Sequence, residues 1–199
     1  MDAEDLIKNL KNSDYKTNCK KINIAWNFAH NAHKGQLRGT GESYFTHPVS
    51  VAQILSNLNL DLNTIITGLL HDVVEDCGVS ISKISSIFGE EVALLVDGVT
   101  KLTKLELQSD RSKQAENFRK LFLATSNDIR VLLVKLADRT HNMRTIGGIS
   151  DIEKRQKIAQ ETLEVFAPLS ERVGLIGLKN EMEDLAFAVV QPQMRTSIM

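Results

Sequence analysis

The sequence predicts an all-α fold, with the 199 residues forming one domain of packed helices. Apolar residues recur with helical spacing, as in Ile22, Ala25, Phe28, Ala29 and Ala32. Strand signals are poor, because alternation of β-branched with polar residues is rare and no Asn-Gly hairpin occurs. Only three prolines occur, two of them beyond residue 160, which also suits a helical protein.

The first half of the chain contains five predicted helices. A polar loop at 34–46 holds three glycines and Arg38, and Pro48 suits the first turn of the helix after it. Asp61 and Ser80 are candidate N-caps, while Gly78 and Gly89 are candidate helix ends. The predicted helices cover residues 16–33, 48–58, 61–76, 81–88 and 92–99.

The second half begins with a polar, charged segment at 103–114 that lacks clear periodicity, so we expect a loop there. A plain solvated connection is a simpler interpretation of this composition than a mobile switch. Asp128 is the candidate N-cap of a later helix. The predicted helices cover residues 118–124, 129–146, 152–166 and 175–190, the last two around Pro168.

Composition favours a soluble protein. The net charge is −1 and no basic stripe is obvious, so we expect no nucleic-acid partner. No apolar run approaches the ~18 residues that span a bilayer, so we expect no membrane partner. Cys19 and Cys77 lie far apart without metal spacing, and the acidic N-terminus lacks an apolar signal core. These features predict a cytoplasmic location.

The predicted helix at 61–76 is apolar nearly all round, yet His71, Asp72, Glu75 and Asp76 lie near its C-terminal end. Carboxylates are unfavourable there, because the helix dipole is negative at that end. A bound cation would offset them, although a polar helix end in solvent would explain the His-Asp pair alone. Glu75 and Asp76 follow Asp72 by one turn, so all three carboxylates can face one cavity.

The predicted helix at 129–146 also combines an apolar first part with polar groups near its C-terminal end. Its first turns are apolar, and Asp138, Asn142 and Thr145 then share one face. A buried Asp138 needs a cation, which either a metal ion or Arg139 could supply. The carboxylate, amide and hydroxyl in line can form the floor of a nucleotide pocket, or they can be ordinary hydrogen-bonding groups.

His47 opens the helix after the glycine-containing loop, where a single histidine is more often structural than a ligand. Together with His71, Asp72 and Asp138 it makes two imidazoles and two carboxylates, a set that suits Mn, Fe or Zn and excludes a thiolate site. Glu75 and Asp76 then remain available for proton transfer.

The order His, His-Asp, Asp resembles the HD phosphohydrolase superfamily, and the chain is similar in particular to the hydrolase half of RelA/SpoT proteins. This resemblance covers about residues 20–190. It is carried by GESYFTHPVSVAQIL, GLLHDVVEDCGVS, FGEEVALLVDGVTKL, QAENFRKLFLA, DIRVLLVKLADRTHNMRTI and ETLEVFAPLSERVGLIGLKNEMEDLAF. It implies an all-helical HD domain and an enzyme that degrades the alarmone (p)ppGpp of the stringent response.

The resemblance also implies a role for each candidate residue. The implied metal is Mn²⁺, with His47, His71, Asp72 and Asp138 as its ligands. Glu75 and Asp76 match the acidic pair that activates water. The implied substrate-binding residues are Arg38, Asn142 and Thr145.

The chain departs from the family at two places. The glycine-containing loop usually reads Arg-Lys-Ser-Gly-Glu-Pro-Tyr, and Gly39 stands here in place of the lysine. Restoring a cation with Gly39→Lys is expected to tighten substrate binding, unless Gly39 is needed for a positive φ. Secondly, residues 151–199 would lead into a synthetase domain that is not among the 199 residues, so we expect no alarmone synthesis by them.

The sequence therefore predicts a Mn-dependent guanosine-3′,5′-bis(diphosphate) 3′-pyrophosphohydrolase that releases GDP or GTP and pyrophosphate. Two alternatives stay open. The chain could be a non-catalytic module that binds the alarmone, or an HD phosphohydrolase of another nucleotide.

Overall fold

The computed structural model describes residues 3–8, 15–107 and 128–193, and within these ranges it contains no β-strand. The predicted all-α class is confirmed. The α-helices are α1 Tyr15–Ala32, α2 Thr46–Asn57, α3 Leu62–Leu70, α4 Val73–Cys77, α5 Ile81–Phe88, α6 Glu90–Leu107, α7 Ile129–Arg144, α8 Ile152–Glu161, α9 Ala167–Arg172 and α10 Ile176–Val190. Short 3₁₀ segments cover Ala3–Ile7 and Ile146–Gly148, and a π-helical turn covers Thr162–Phe166.

The chain forms two compact units. The first unit contains the described residues up to 36 and from 43 to 137, and the second contains 37–42 and the described residues from 138 onward. Helix α7 supplies its first nine residues to the first unit and the rest to the second. The prediction of a single domain over the whole chain stays a prediction.

Helix α3 is the centre of the first unit, where it packs against α1, α2 and α6. Its residues Ile65, Leu69 and Leu70 have no exposed surface. Gly68 allows α2 to approach closely, since a Cβ there would lie 3.2 Å from the Cα of Ala52. The first unit therefore buries the segment that ends at the His-Asp pair.

The second unit is built from α8, the π-helical turn, α9 and α10, which pack against one another. A buried apolar cluster joins Met143 and Ile146 to Ala159 of α8 and Ala186 of α10. This cluster anchors the C-terminal end of α7, which carries Asn142 and leads directly into Thr145.

The predicted helix ends are confirmed at several places. The Asp61 and Ser80 side chains accept hydrogen bonds from the N–H groups of Thr64 and Lys83. Gly78 closes α4 with φ +67°. At the start of α7, the Asp128 carboxylate accepts from the N–H of Arg130 at 2.9 Å. Local capping chemistry was therefore readable from the sequence.

The prediction of one helix over 61–76 is wrong, because α3 ends at Leu70 and α4 begins at Val73. The His71 Nδ1 lies 2.8 Å from the carbonyl oxygen of Gly68. In an uninterrupted helix that carbonyl would accept from the N–H of Asp72. The His71 side chain thus occupies the acceptor that would continue the helix, and the chain turns at the His-Asp pair.

Two further predictions need correction. Helix α6 extends to Leu107, so residues 103–107 are helical rather than loop, while 108–114 and the helix predicted at 118–124 lie outside the described residues. The chain also stays helical through Pro168 as far as Arg172. A π-type bond from the N–H of Ala167 to the carbonyl of Thr162 widens the turn just before the proline, which donates no hydrogen bond of its own.

Candidate functional site

The first unit brings His47, His71 and Asp72 together. His47 is the second residue of α2 and His71 follows the last residue of α3, and each is only 2% exposed. Each imidazole offers a ligand nitrogen within 4.8 Å of the other. The Asp72 carboxylate lies 3.5 Å from His47 Nε2 and 3.1 Å from His71 Nε2. Three of the four predicted metal ligands therefore lie together, the two histidines buried and Asp72 half-buried.

The hydrogen bonding of His71 suits a cation in this cluster. A carbonyl oxygen can only accept, so the contact with Gly68 places a proton on Nδ1 of His71. In the neutral ring, Nε2 then presents a lone pair toward the Asp72 carboxylate, which is another acceptor. Two facing acceptors require a proton or a metal ion between them. The donor set of this His-His-Asp cluster, two imidazoles and a carboxylate, fits a divalent metal ion.

Tyr44 supports the cluster from the loop before α2. Its hydroxyl donates to Asp72 Oδ2 at 2.8 Å, and its ring stacks on His33 with the centroids 4.8 Å apart. Burial, followed by the charges of Asp72 and Asp76, raises the pKa of Tyr44, so the phenol keeps its proton. Tyr44 was not among the residues predicted from the sequence, although it lies only three residues before the candidate ligand His47 and could have been expected to support it.

The predicted acidic pair lies on α4, where both Glu75 and Asp76 are exposed. The pKa of Glu75 is raised by burial of its carboxyl group, with smaller contributions from the charges of Asp72 and Asp76. Lys135 opposes this rise. A carboxyl group with a raised pKa is a better proton acceptor near neutral pH than an ordinary one.

Lys135 is a second residue that the sequence reasoning missed. It is 6% exposed, and its ammonium group donates to the Thr103 hydroxyl at 3.2 Å. The Thr103 side chain also hydrogen-bonds to Glu75, which lowers the pKa of that carboxyl group. The sequence signal was the single charge within the apolar run VLLVKLA at 131–137. The two groups limit how far the pKa of Glu75 rises.

The second unit contains Asp138 and the three predicted substrate-binding residues. Asp138 is buried, and its Oδ1 accepts from the Asn142 side-chain amide at 2.6 Å. Nη2 of Arg38 donates to Asn142 Oδ1 at 3.2 Å and to Thr145 Oγ1 at 3.1 Å. The predicted common face is confirmed, and Arg38 joins it from a distant part of the chain.

Arg139, which we considered from the sequence as a cation for Asp138, has partners farther along the chain. Its Nη2 donates to Glu161 at 3.0 Å, and its guanidinium lies 4.0 Å from the centre of the Phe166 ring. The negative charge of Glu161 therefore compensates at least part of the positive charge of Arg139.

Gly39 does not adopt the positive φ considered as its alternative explanation; in the same loop that conformation is adopted by Gly35 and Gly41. A side chain at Gly39 meets another obstacle. A Cβ there would lie 2.6 Å from the carbonyl oxygen of Gly148. The expectation that Gly39→Lys tightens binding is therefore replaced by one in which the added side chain displaces the loop.

Among the described residues, no helix is both long and apolar enough to span a membrane.

Comparison with known proteins agrees with the motifs. A model of the HD domain matches residues 25–176. The chain is 53% identical over 175 residues to a GTP pyrophosphokinase of Myxococcus xanthus, a match that covers 86% of this chain and 23% of the relative. It is 49% identical over 173 residues to the bifunctional (p)ppGpp synthase/hydrolase SpoT of Escherichia coli strain K12. This match covers 87% of this chain and 24% of the relative.

A guanosine-3′,5′-bis(diphosphate) 3′-pyrophosphohydrolase of Vibrio cholerae is 52% identical over 164 residues, covering 82% of this chain and 23% of the relative. The chain thus spans about a quarter of the length of these curated relatives. A solved structure of a metazoan ortholog of SpoT that hydrolyzes ppGpp shares the fold, with a TM-score of 0.63 and 24% identity, covering 83% of this chain and 93% of that one. The predicted resemblance to RelA/SpoT proteins is confirmed.

Proposed function

This chain belongs to the HD domain family, and we propose that it hydrolyses the 3′-pyrophosphate of (p)ppGpp to GDP or GTP and pyrophosphate. The observation that carries the proposal is the cluster of His47, His71 and Asp72 with the acidic pair of α4 one turn after Asp72. Relatives about half identical in sequence are named as hydrolases of this compound.

The proposed metal ligands are His47, His71, Asp72 and Asp138, and the proposed metal is Mn²⁺. The mixed imidazole and carboxylate donor set supports a first-row divalent ion. When bound, such an ion supplies a Lewis acid that polarises phosphoryl oxygens and lowers the pKa of water. Tyr44 restrains Asp72 through its hydrogen bond, so that the carboxylate keeps one orientation.

Glu75 and Asp76 are the proposed proton acceptors. A water molecule forms a new bond to the phosphorus next to the ribose 3′ oxygen, and gives up its proton to this pair. The bond between that phosphorus and the 3′ oxygen breaks, and the 3′ oxygen takes a proton as it leaves. The raised pKa of Glu75 supports its role, because a base with an ordinary carboxyl pKa would bind this proton less readily.

Arg38, Asn142 and Thr145 are the proposed nucleoside-binding residues. Thr145 Oγ1 donates to the carbonyl of His141 and Asn142 donates to Asp138, so both side chains have fixed orientations. Arg38 offers a planar, permanently charged guanidinium group held by the same two side chains. Fixed groups of this kind reduce the entropy that nucleotide binding costs.

A small nucleotide is then the proposed partner, without nucleic acid or membrane, in the cytoplasm. The decisive experiment is turnover of a nucleotide panel by purified protein with added Mn²⁺. We expect release of pyrophosphate from ppGpp and pppGpp, and no turnover of GDP, GTP or deoxynucleoside triphosphates. Binding of ppGpp without turnover would identify a regulatory module instead, and turnover of another nucleotide would identify a different phosphohydrolase.

A further inference from the structure

The backbones of Gly39 and Gly148 approach each other closely within the second unit. A Cβ on Gly39 would lie 2.6 Å from the carbonyl oxygen of Gly148, and a Cβ on Gly148 would collide with Cγ2 of Thr40 and lie 3.1 Å from its backbone nitrogen. Neither glycine has a positive φ, so conformational freedom does not explain either one. What both positions share is a backbone-to-backbone approach that leaves no room for a side chain.

This contact joins two segments that are each held by internal backbone hydrogen bonds. In the loop, the N–H of Arg38 donates to the carbonyl of Glu42 and its carbonyl accepts from Gly41, both at 2.9 Å. In the 3₁₀ segment, the N–H of Gly148 donates to the carbonyl of Thr145 at 3.0 Å. A displacement at either glycine is therefore transmitted to Arg38 or Thr145 within a few bonds.

The Arg38 side chain crosses between the same two segments. Its guanidinium donates to Asn142 and to Thr145, whose hydrogen bonds have donor–acceptor distances of 3.2 and 3.1 Å. The backbone of the next residue, Gly39, touches Gly148, three residues beyond Thr145. Two side-chain hydrogen bonds and one backbone contact therefore fix where Arg38 lies.

We propose that the Gly39–Gly148 contact positions Arg38 for nucleotide binding, so that the two glycines are positioning residues for the cation that Arg38 supplies. Its consequence for binding rests on the proposed function, in which Arg38 contacts the nucleoside. The absence of a side chain at position 39 is then a requirement of the close approach, and a larger residue at either position moves Arg38 away from Asn142 and Thr145.

The test is Gly148→Ala with Gly147→Ala as its matched control. A Cβ on Gly147 meets nothing within 4 Å, and its φ is not in the left-handed region, so the control adds the same methyl group one residue away. Affinity for ppGpp is measured calorimetrically without added metal, which prevents turnover. We expect Gly148→Ala to weaken binding by about 5- to 10-fold, as loss of one typical net hydrogen bond does. Gly147→Ala leaves binding unchanged.

A double-mutant cycle with Arg38→Ala separates positioning from general damage. If the glycine contact acts through Arg38, Gly148→Ala has little further effect on affinity once Arg38 is replaced. An equal loss of affinity in both backgrounds would overturn the proposal. Thr40→Ser removes the methyl group that a Cβ on Gly148 would strike, and is expected to restore part of the affinity of Gly148→Ala.

Crystal structures of the two alanine variants make the test independent of activity. We expect the hydrogen bonds from Arg38 to Asn142 and Thr145 to be lost in Gly148→Ala and kept in Gly147→Ala. An unmoved Arg38 in Gly148→Ala would overturn the positioning role. If the unmodified protein binds no ppGpp, the proposed function fails, while these two structures still decide whether the glycines position Arg38.

Discussion

The His-His-Asp cluster of the first unit and the Arg38 network of the second unit are built by opposite means. The cluster concentrates charge and imidazole groups at the ends of buried helices, and Asp72 contacts both histidines directly. The network disperses neutral hydrogen-bonding groups along α7 and fixes them with one arginine from a short loop. Loss of one group is therefore expected to be far more costly in the cluster than in the network.

The largest expected effect is in the cluster. His71→Ala or Asp72→Ala should abolish both metal binding and turnover, because each removes a proposed ligand from a buried set. Metal content is measured by elemental analysis after dialysis against Mn²⁺, and turnover as pyrophosphate release from ppGpp. Full Mn²⁺ stoichiometry in either variant would contradict the ligand assignment.

The acidic pair separates metal binding from proton transfer. Glu75→Gln and Asp76→Asn keep side-chain volume and remove charge, so the metal should stay bound. The turnover rate should fall by roughly 10²- to 10⁴-fold, the usual contribution of a positioned acid or base. An unchanged rate would remove the residue from the mechanism, whereas loss of metal would make it a ligand.

The network is tested by Gly39→Lys, for which the structure reverses the direction expected from charge alone. The new side chain must displace Gly148 or the loop, and Arg38 moves with it. The Michaelis constant for ppGpp should rise by at least about 5-fold, the value of roughly one typical net hydrogen bond. It is measured across a salt series, and a lower constant at low salt would restore the electrostatic interpretation.

The smallest effect is expected outside both regions, at the N-cap of α7. Hydrogen bonds from Arg130 hold the pKa of Asp128 below its usual value, against a smaller opposing effect of burial. A lowered folded-state pKa stabilises the protein above the unfolded pKa of about 3.9, and this stability is lost as the pH falls through the folded value. Asp128→Asn should therefore cost about 1 kcal/mol or less at neutral pH.

Urea unfolding of the wild type and of Asp128→Asn between pH 7 and pH 3 checks this prediction. The difference in unfolding free energy should shrink as the pH falls below about 4, because Asp128 then becomes protonated in the wild type. A difference that is constant down to pH 3 would assign the effect to capping geometry instead, since asparagine is also a good N-cap.

The two regions also differed in how well the sequence predicted them. His71, Asp72 and the acidic pair stood out because charged groups in an apolar helix are rare, and Asn142 and Thr145 followed from the helical period after Asp138. Lys135 carried the same signal, one charge in an apolar run, and was passed over. Gly148 carried no signal, because two adjacent glycines after a helix look like an ordinary helix end.

The sequence by itself determined the helices, their caps and the residue types that carry chemistry, because period and capping depend on neighbours a few positions away. The tertiary structure alone decided the bond from Tyr44 to Asp72 and the approach of Gly39 to Gly148. Tyr44 and Asp72 are 28 positions apart, and Arg38 and Thr145 are 107 apart. Contacts at such separations depend on how whole helices pack, and no local pattern encodes them.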